Sequence, residues 1–418
     1  MEGFFSKREI ERSNSETKMT TGAACSACGL FKKCKSPKLK VSGEGGKGIL
    51  FITDAPEELD DVRKDYGYGP AGSLVRDIYE SYAGKGTFYK DCWVTGSLNC
   101  YEPGHDPLHI FADNKKIDLC RPKTFRLITR LEPKVIVLMG SIPIKTFLQH
   151  RWMDGLSSGG GEDGDKDSDP IATKWRGFTI PDQDYKCWVI PTYSPKIVLR
   201  KDNQQMYSQI FSEDIGKIFE LPRKVPKYKK RLSIHVFDRD AEEIFEYLRF
   251  VRTDRPTIAF DYETNAGKPY DRDCKIHSLS ISHESMFGIS FLFTNKVAKV
   301  WGKILGDSGI KKVAHNAKFE HSWSKKVLGV ETLGWDCCTL TKAHFLDNRK
   351  GITGLKFQAY VRTGIVDYAS NITHYFKTTK EQKYNRIEEI PLGELLYYGA
   401  MDSAITYEIY EQMKREAP

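Results

Sequence analysis

Short apolar runs alternate with amphipathic stretches along this chain. Gly48 to Thr53, Lys134 to Gly140 and Lys186 to Pro191 are near-continuous apolar runs of strand length, the pattern of strands buried on both faces. Between them, Ser73 to Ala83 and Arg121 to Leu131 carry apolar residues at helical spacing. Buried strands alternating with helices predict an α/β domain with a mainly parallel sheet. The pattern restarts at Thr257 to Phe260, a strand, followed by a second over Ser278 to Ser282 and an antiparallel partner over Phe287 to Phe293. Several helical stretches come after these, which predicts a second α/β domain with a mixed sheet. Between the halves, Pro222 to Arg231 holds six basic residues and two prolines in ten. It reads as an extended basic linker, either a solvated tether or a contact for a phosphate backbone. The expected organisation is a flexible N-terminus over 1–23, domains over 24–221 and 232–418, and the linker over 222–231. Gly155 to Asp169, rich in Gly, Asp and Ser, is expected to be a mobile surface loop.

A length of 418 residues suits two or three domains, and 40% hydrophobic with 29% charged residues is a globular composition. No run approaches the ~20 apolar residues that cross a bilayer, and Met1 to Thr20 is polar, so neither a membrane nor a secreted protein is expected. The expected location is cytoplasmic. A net charge of +8 mildly favours a polyanionic partner. Ten cysteines in this length are too sparse for a disulfide framework and point to reduced thiols with selective metal ligation.

The sharpest chemistry lies in the second half. Asp261 and Glu263 follow the Ile258-Ala259-Phe260 strand, two apart and hence on one face. Asn316 and Glu320 are four apart, as are Tyr398 and Asp402, so each pair falls on one helical face. Four acids that converge from separate elements repel one another unless divalent cations neutralise them, and carboxylate oxygens suit Mg²⁺ or Mn²⁺. Two such ions stabilise the attacking and leaving oxygens of an in-line displacement at phosphorus. Each fragment alone is common. Their order and spacing together, in Asp261-Tyr262-Glu263-Thr264, His315-Asn316-Ala317-Lys318-Phe319-Glu320 and Tyr398 with Asp402, resemble the DEDDy 3′–5′ exonucleases, the proofreading domain of family A DNA polymerases. Asp336-Cys337-Cys338-Thr339 and His344 to Asp347 resemble that family's internal helix region. The resemblance implies a ribonuclease H-like (DnaQ-type) fold over roughly Arg255 to Met413. It further implies two Mg²⁺ or Mn²⁺ ions on Asp261, Glu263, Glu320 and Asp402, with Tyr398 orienting the attacking water. Thr264 and Asn316 would then bind the substrate strand. One position departs from the pattern: the second motif normally ends in Asp, and here it is Glu320, whose extra methylene moves the carboxylate by about 1.5 Å.

In the first half, Cys25 and Cys28 form a C-x2-C pair, with Cys100 and Cys120 far downstream. Four thiolates complete either a Zn²⁺ site or a 4Fe–4S cluster, and spacing alone leaves both open. The surrounding turns are Asp54-Ala55-Pro56, Gly69-Pro70-Ala71-Gly72, Cys120-Arg121-Pro122, Pro133 to Gly140 and Pro191-Thr192-Tyr193-Ser194-Pro195. In this order they resemble the family 4 uracil-DNA glycosylases, which implies an α/β sandwich over Ala24 to Leu221 with a 4Fe–4S cluster on Cys25, Cys28, Cys100 and Cys120. Cys34, Cys92 and Cys187 are expected to pack. Asp54 and Ser194 would face the base. The catalytic positions depart from the family. Asp54 shortens an acid, Gly96 stands where an Asn reads the uracil edge, and Ser194 stands where a His is followed by Pro. Each lost donor costs ~2.7–4 kcal/mol in the transition state, so base excision is not expected. Arg121, Lys123, Arg126 and Arg130 recur near an expected helix start, suited to phosphate or to a solvated face.

The whole resembles the N-terminal region of phage-type family A DNA polymerases: a degenerate glycosylase-like domain fused to a proofreading exonuclease acting on single-stranded DNA 3′ ends, in the bacterial host cytoplasm. No polymerase motifs occur in the sequence, so the polymerase domain is expected beyond Pro418 or on a separate chain. Rival readings are an active uracil-DNA glycosylase with an auxiliary nuclease, a non-catalytic module binding DNA or a polymerase, and an RNase D-like activity on RNA.

Overall fold

The computed structural model describes residues 21–103, 114–148, 169–200, 204–239, 241–366, 368–378 and 382–416. The chain divides at Val225/Pro226 into two compact units.

In the first unit the apolar runs form β1 (Ile49–Thr53), β2 (Cys92–Gly96), β3 (Val135–Met139), β4 (Ile180–Asp182) and β5 (Cys187–Thr192). Their order is β2-β1-β3-β5-β4, parallel except for β4, which pairs antiparallel to β5. Leu50, Phe51, Ile136, Val137, Val189 and Ile190 are all fully buried, as expected of strands covered on both faces. The Pro70–Ala83 helix starts with Gly69 at its N-cap and Pro70 in its first turn, where a missing N–H costs nothing. Three acids just before it satisfy backbone rather than solvent. Asp61 accepts from the Lys35 and Ser36 amides at 2.8 and 2.6 Å, and Asp60 from Tyr68 N at 2.8 Å. Glu57 accepts from Ala71 N at 3.1 Å. The carboxylate of Asp61 thereby staples the cysteine-bearing N-terminal segment to the unit.

In the second unit β6 (Ser233–Phe237), β7 (Ile258–Thr264), β8 (Ile276–Ser282), β9 (Phe287–Leu292), β10 (Lys312–Ala314) and β11 (Trp335–Cys338) form a mixed sheet ordered β11-β10-β7-β8-β9-β6. β8 and β9 are antiparallel, as expected, and so are β7 and β8. The remaining neighbours are parallel. Phe260, Tyr262, Leu279, Ile281, Phe291, Trp301 and Trp323 build the core. Tyr262 accepts from Trp301 Nε1 at 2.6 Å and bonds Ser324 Oγ at 2.9 Å. Anchoring Tyr262 in this way turns its neighbours Asp261 and Glu263 to the opposite face of β7. That face is covered by the long Leu392–Glu416 helix, which packs across β6 to β9. Small residues let it approach: a Cβ on Gly288 would lie 2.1 Å from the Ala400 carbonyl oxygen.

Several expectations change here. Tyr228 to Arg231 turn a short helix instead of continuing an extended linker, because Tyr228 packs on the Met401, Ile405 and Ile409 cluster of the second unit. Residues 1–20 and 149–168, which hold most of the expected flexible N-terminus and most of the Gly/Asp/Ser loop, lie outside the described residues. Thr21 to Ala23 open the Thr21–Cys28 helix. Asp169, placed in that loop by the sequence, is buried and caps the Pro170–Trp175 helix by accepting from Ala172 N at 2.9 Å. Arg121, Lys123, Arg126 and Arg130 run from the middle of the Asn114–Leu131 helix to its last turn, away from its start. Arg121 pairs with Asp118 at 2.7 Å. Asn316 is not on a helical face with Glu320. It is the residue before the Ala317–Trp323 helix, at φ 83, in the left-handed region that Asn tolerates.

Candidate active site

Three carboxylates meet over the β7 face of the second unit. Ligand oxygens of Asp261, Glu263 and Asp402 all lie within 4.8 Å of one another. Asp261 and Glu263 come from β7, opposite Ser280 and Ser278 of β8, whose small side chains leave room for the covering helix. Asp402 comes from the Leu392–Glu416 helix, one turn after Tyr398. Glu320, from the Ala317–Trp323 helix, is almost fully buried, close enough to Asp261 for that charge to raise its carboxyl. A five-residue π-helix, Ser324–Leu328, follows it, and Ser324 Oγ donates to the Glu320 carbonyl at 2.8 Å.

Crowding of acids sets the electrostatics. Burial, then the Asp402 charge, pushes Asp261 up to about 7, against the attraction of Lys356. Burial and the Asp261 charge hold Glu263 and Glu320 well above the usual carboxylate range. Glu263 Oε1 and Glu320 Oε2 are buried without a hydrogen-bond partner. Unpaired buried carboxylate oxygens are costly, and this cluster has the donor set, hard oxygens from four acids, that suits a divalent cation. Burial, then Asp402, also raises the Tyr398 phenol well above its ordinary value, so it is a proton donor at neutral pH. His315 is pushed down to about 4 by burial and stays neutral, with Nδ1 2.9 Å from Thr339 Oγ1.

Asp261, Glu263, Glu320, Tyr398 and Asp402 are thus brought together. Asn316 is exposed just before the Glu320 helix. Thr264 is not presented to a substrate: it is buried, and its hydroxyl donates to the Ala266 carbonyl at 2.8 Å. Lys356 and Tyr368, both bonded to Asp402, were missed by the sequence reading. Neither sits at a spacing that marks it.

In the first unit, Cys25, Cys28, Cys100 and Cys120 line one cavity with Leu30, Lys38, Asn99 and Lys123. Lys38 N donates to Cys100 Sγ at 3.3 Å. Burial raises Cys28 and pushes Cys120 up to about 11, and repulsion by Cys100 adds to both. Cys92 and Cys187 are fully buried in strands, while Cys34 packs beside Cys100. Lys123 Nζ, expected on a helix face toward phosphate, is instead buried at this cavity.

Near the strand ends a cavity is lined by Thr53, Ala55, Glu57, Tyr66, Met139 and Pro195. Asp54 after β1 and Ser194 after β5 are both fully buried, and Ser194 Oγ donates to Asp54 Oδ2 at 3.0 Å. They bond each other, and Asp54 Oδ1 is buried without a hydrogen-bond partner. A Cβ on Gly140, after β3, would sit 2.8 Å from Ser194 Cβ. At Gly96 a Cβ would meet the Leu98 carbonyl oxygen at 2.3 Å, so no asparagine fits there. Asn99 takes the space and donates to the Gly96 carbonyl at 3.1 Å.

Asp54 gives a test. Burial pushes it up to about 7, partly opposed by Lys196 and the Ser194 hydroxyl and supported by Asp169. Between the ordinary aspartate value of 3.8 and about 7 the folded state holds a proton that the unfolded state has lost. Stability from this group is therefore complete below the lower value and disappears as pH rises through the upper one, by up to about 4 kcal/mol. In melts at pH values spanning that window, Asp54→Asn should flatten the decline of the first unit. An unchanged slope would refute the assignment.

The fold and acidic cluster define a chain of two α/β domains, the second a ribonuclease H-like exonuclease fold. Residues 238–418 match the family model described as 3′–5′ exonuclease, and residues 42–214 match that of the uracil DNA glycosylase superfamily. Each half thus resembles one of these families, the first the uracil DNA glycosylases and the second the 3′–5′ exonucleases. Similar solved structures include Trypanosoma brucei RNase D in complex with RNA U12, at 14% identity over 44% of this chain and 64% of that one, TM-score 0.35. Brucella melitensis NrnC is similar at 17% identity over 44% of this chain and 80% of that one, TM-score 0.31. The catalytic core of RRP6 from Trypanosoma brucei is similar at 17% identity over 44% and 46%, TM-score 0.33. The chain spans less than two thirds of the RNase D and RRP6 chains it matches. No curated protein matches it.

Proposed function

We propose that the second unit is a metal-dependent 3′–5′ exonuclease that trims single-stranded or frayed DNA 3′ ends, working as the proofreading partner of a phage-type DNA polymerase domain in the host cytoplasm. The observation that carries this reading is the meeting of Asp261, Glu263 and Asp402 within 4.8 Å, with Glu320 against Asp261. Two Mg²⁺ or Mn²⁺ ions held by these four acids would neutralise charge on the attacking and leaving oxygens of the scissile phosphodiester. The protonated Tyr398 phenol orients the attacking water by hydrogen bonding. Neutral His315 adds no competing cation beneath the cluster. Asn316, exposed at the helix start, is placed to meet the strand. Among the described residues no helix is long and apolar enough to cross a membrane.

The first unit keeps the glycosylase-like fold and a 4Fe–4S cluster on Cys25, Cys28, Cys100 and Cys120, and lacks base excision. The support for lost excision is the Asp54–Ser194 pair and the closed space at Gly96. All four thiols line one cavity, which supports a shared metal centre, and the resemblance to the family 4 glycosylases favours a cluster over a single zinc ion.

Digestion of matched 3′-labelled DNA and RNA oligonucleotides, with Mg²⁺, with Mn²⁺ and with chelator, tests the reading. Metal-dependent shortening from the 3′ end, faster on DNA, is expected, with no uracil released from uracil-containing single-stranded or duplex DNA. Faster RNA digestion would shift the substrate class to that of RNase D-like enzymes, and uracil release would restore a working glycosylase.

A further inference from the structure

Asp402 is already partnered. The Lys356 ammonium, from the Leu355–Thr363 helix, forms an ion pair with Asp402 Oδ1, and the Tyr368 hydroxyl donates to the same oxygen. Lys356 Nζ also lies 3.8 Å from the Tyr368 ring centroid and 4.2 Å from that of Tyr398. Cations are attracted to such ring faces, more strongly where water is excluded. The Lys356 and Asp402 side chains are only 25% and 7% exposed. One cation therefore touches an acid of the cluster and the face of the phenol that orients water. Its attraction also reaches Asp261 and Glu263. Among the described residues, no arginine or lysine other than Lys356 is recorded in an ion pair with Asp261, Glu263, Glu320 or Asp402.

We infer that Lys356 is an internal counter-ion of the acidic site: it holds Asp402 while the site is empty, yields that oxygen when a divalent ion arrives, and stays between the two rings to fix Tyr398. The inference rests on reading the acidic cluster as a metal centre. Lys356 is a positioning residue, since it acts through Asp402 and Tyr398. Two consequences have opposite signs. A positive charge in contact with Asp402 competes with a divalent ion for the same oxygen, so its removal tightens ion binding. Its removal also frees the Tyr398 ring, so hydrolysis slows even with the ions bound. A residue needed only for packing would weaken both.

The test uses the full chain and Mn²⁺ alone, titrated calorimetrically and by the electron paramagnetic resonance of free Mn²⁺. Lys356→Met and Lys356→Gln are expected to bind Mn²⁺ at least about fivefold more tightly than the unsubstituted chain. Lys356→Arg, which keeps the charge, should stay within about twofold. At saturating Mn²⁺, single-turnover release of the 3′ nucleotide should fall about tenfold in the two neutral variants. Either neutral variant, if it melts like the unsubstituted chain yet binds Mn²⁺ no more tightly, overturns the inference. Should both neutral variants fail to fold, a Lys356→Arg chain that binds Mn²⁺ at least fivefold differently overturns it too, and one within twofold supports it. A chain that binds Mn²⁺ and responds to Lys356 as stated, yet digests no 3′ end, keeps the counter-ion and loses the exonuclease reading. A chain that binds no Mn²⁺ loses both.

Discussion

Replacing Asp261 by alanine should lower 3′–5′ hydrolysis by about a thousandfold or more while leaving the chain at least as stable in chelator. Asp261 is the hub of the acidic cluster. It shares the 4.8 Å group with Glu263 and Asp402 and is coupled electrostatically to Glu320. Loss of this hub removes a ligand common to any arrangement of ions that uses all four acids. The same change relieves repulsion, since burial and neighbouring acids raise Asp261, Glu263 and Glu320 together. Stability and activity therefore move apart, which separates a lost ligand from a damaged fold. The measurement is a single-turnover digestion in Mg²⁺ paired with melts in chelator. Full activity in a clean preparation would remove the site assignment, and a large fall in melting temperature would mean that Asp261 is structural.

The acids were legible because each sits on an element whose period the sequence displays. The apolar Ile258-Ala259-Phe260 run sets the strand, and alternation then puts Asp261 and Glu263 on one face. Tyr398 and Asp402 share the Leu392–Glu416 helix for the same kind of reason. Spacing failed where the chain leaves a regular element. Asn316 and Glu320 are four apart, yet Asn316 has φ 83 and stands outside the helix. Lys356 and Tyr368 reach Asp402 from separate segments 46 and 34 residues away, and no periodicity announces such a meeting. Thr264 matched a motif position, but its hydroxyl is taken by the turn after β7. In the first unit the departures at Asp54, Gly96 and Ser194 were visible as residue types. That Ser194 and Asp54 bond each other across 140 positions was not, since the parallel sheet brings those strand ends together. β6 escaped notice because it is an edge strand with three exposed residues in five and lacks the continuous apolar run of a central strand.

Cys28→Ser should abolish the visible absorbance of an iron–sulfur cluster, lower the melting temperature of the first unit by about 10 °C, and leave the exonuclease rate unchanged. The argument is one of loop closure. Cys25 and Cys28 lie in or at the end of the Thr21–Cys28 helix, which packs on the Asn114–Leu131 helix that carries Cys120. A cluster bonded to both halves closes a loop of roughly 70 residues, and a cross-link of that span is worth on the order of 4 kcal/mol in the chain-entropy account. The loss should be local. Leu30 remains packed with Ala55 and Leu98, and the Lys35 and Ser36 amides remain on Asp61. The segment beyond Gly29 thus stays docked, while the Thr21–Cys28 helix loses its metal tie and keeps its packing on the Asn114–Leu131 helix and on Leu30 to Lys32. Without a cluster, the buried thiols of Cys28 and Cys120 stay protonated, since burial and Cys100 hold both above their ordinary values. Iron and zinc content, visible absorbance and a melt of anaerobically purified protein decide the matter. A colourless protein with one zinc per chain would replace the cluster with a single ion. An unsubstituted chain with neither metal, melting like Cys28→Ser, would leave the four cysteines as packing residues.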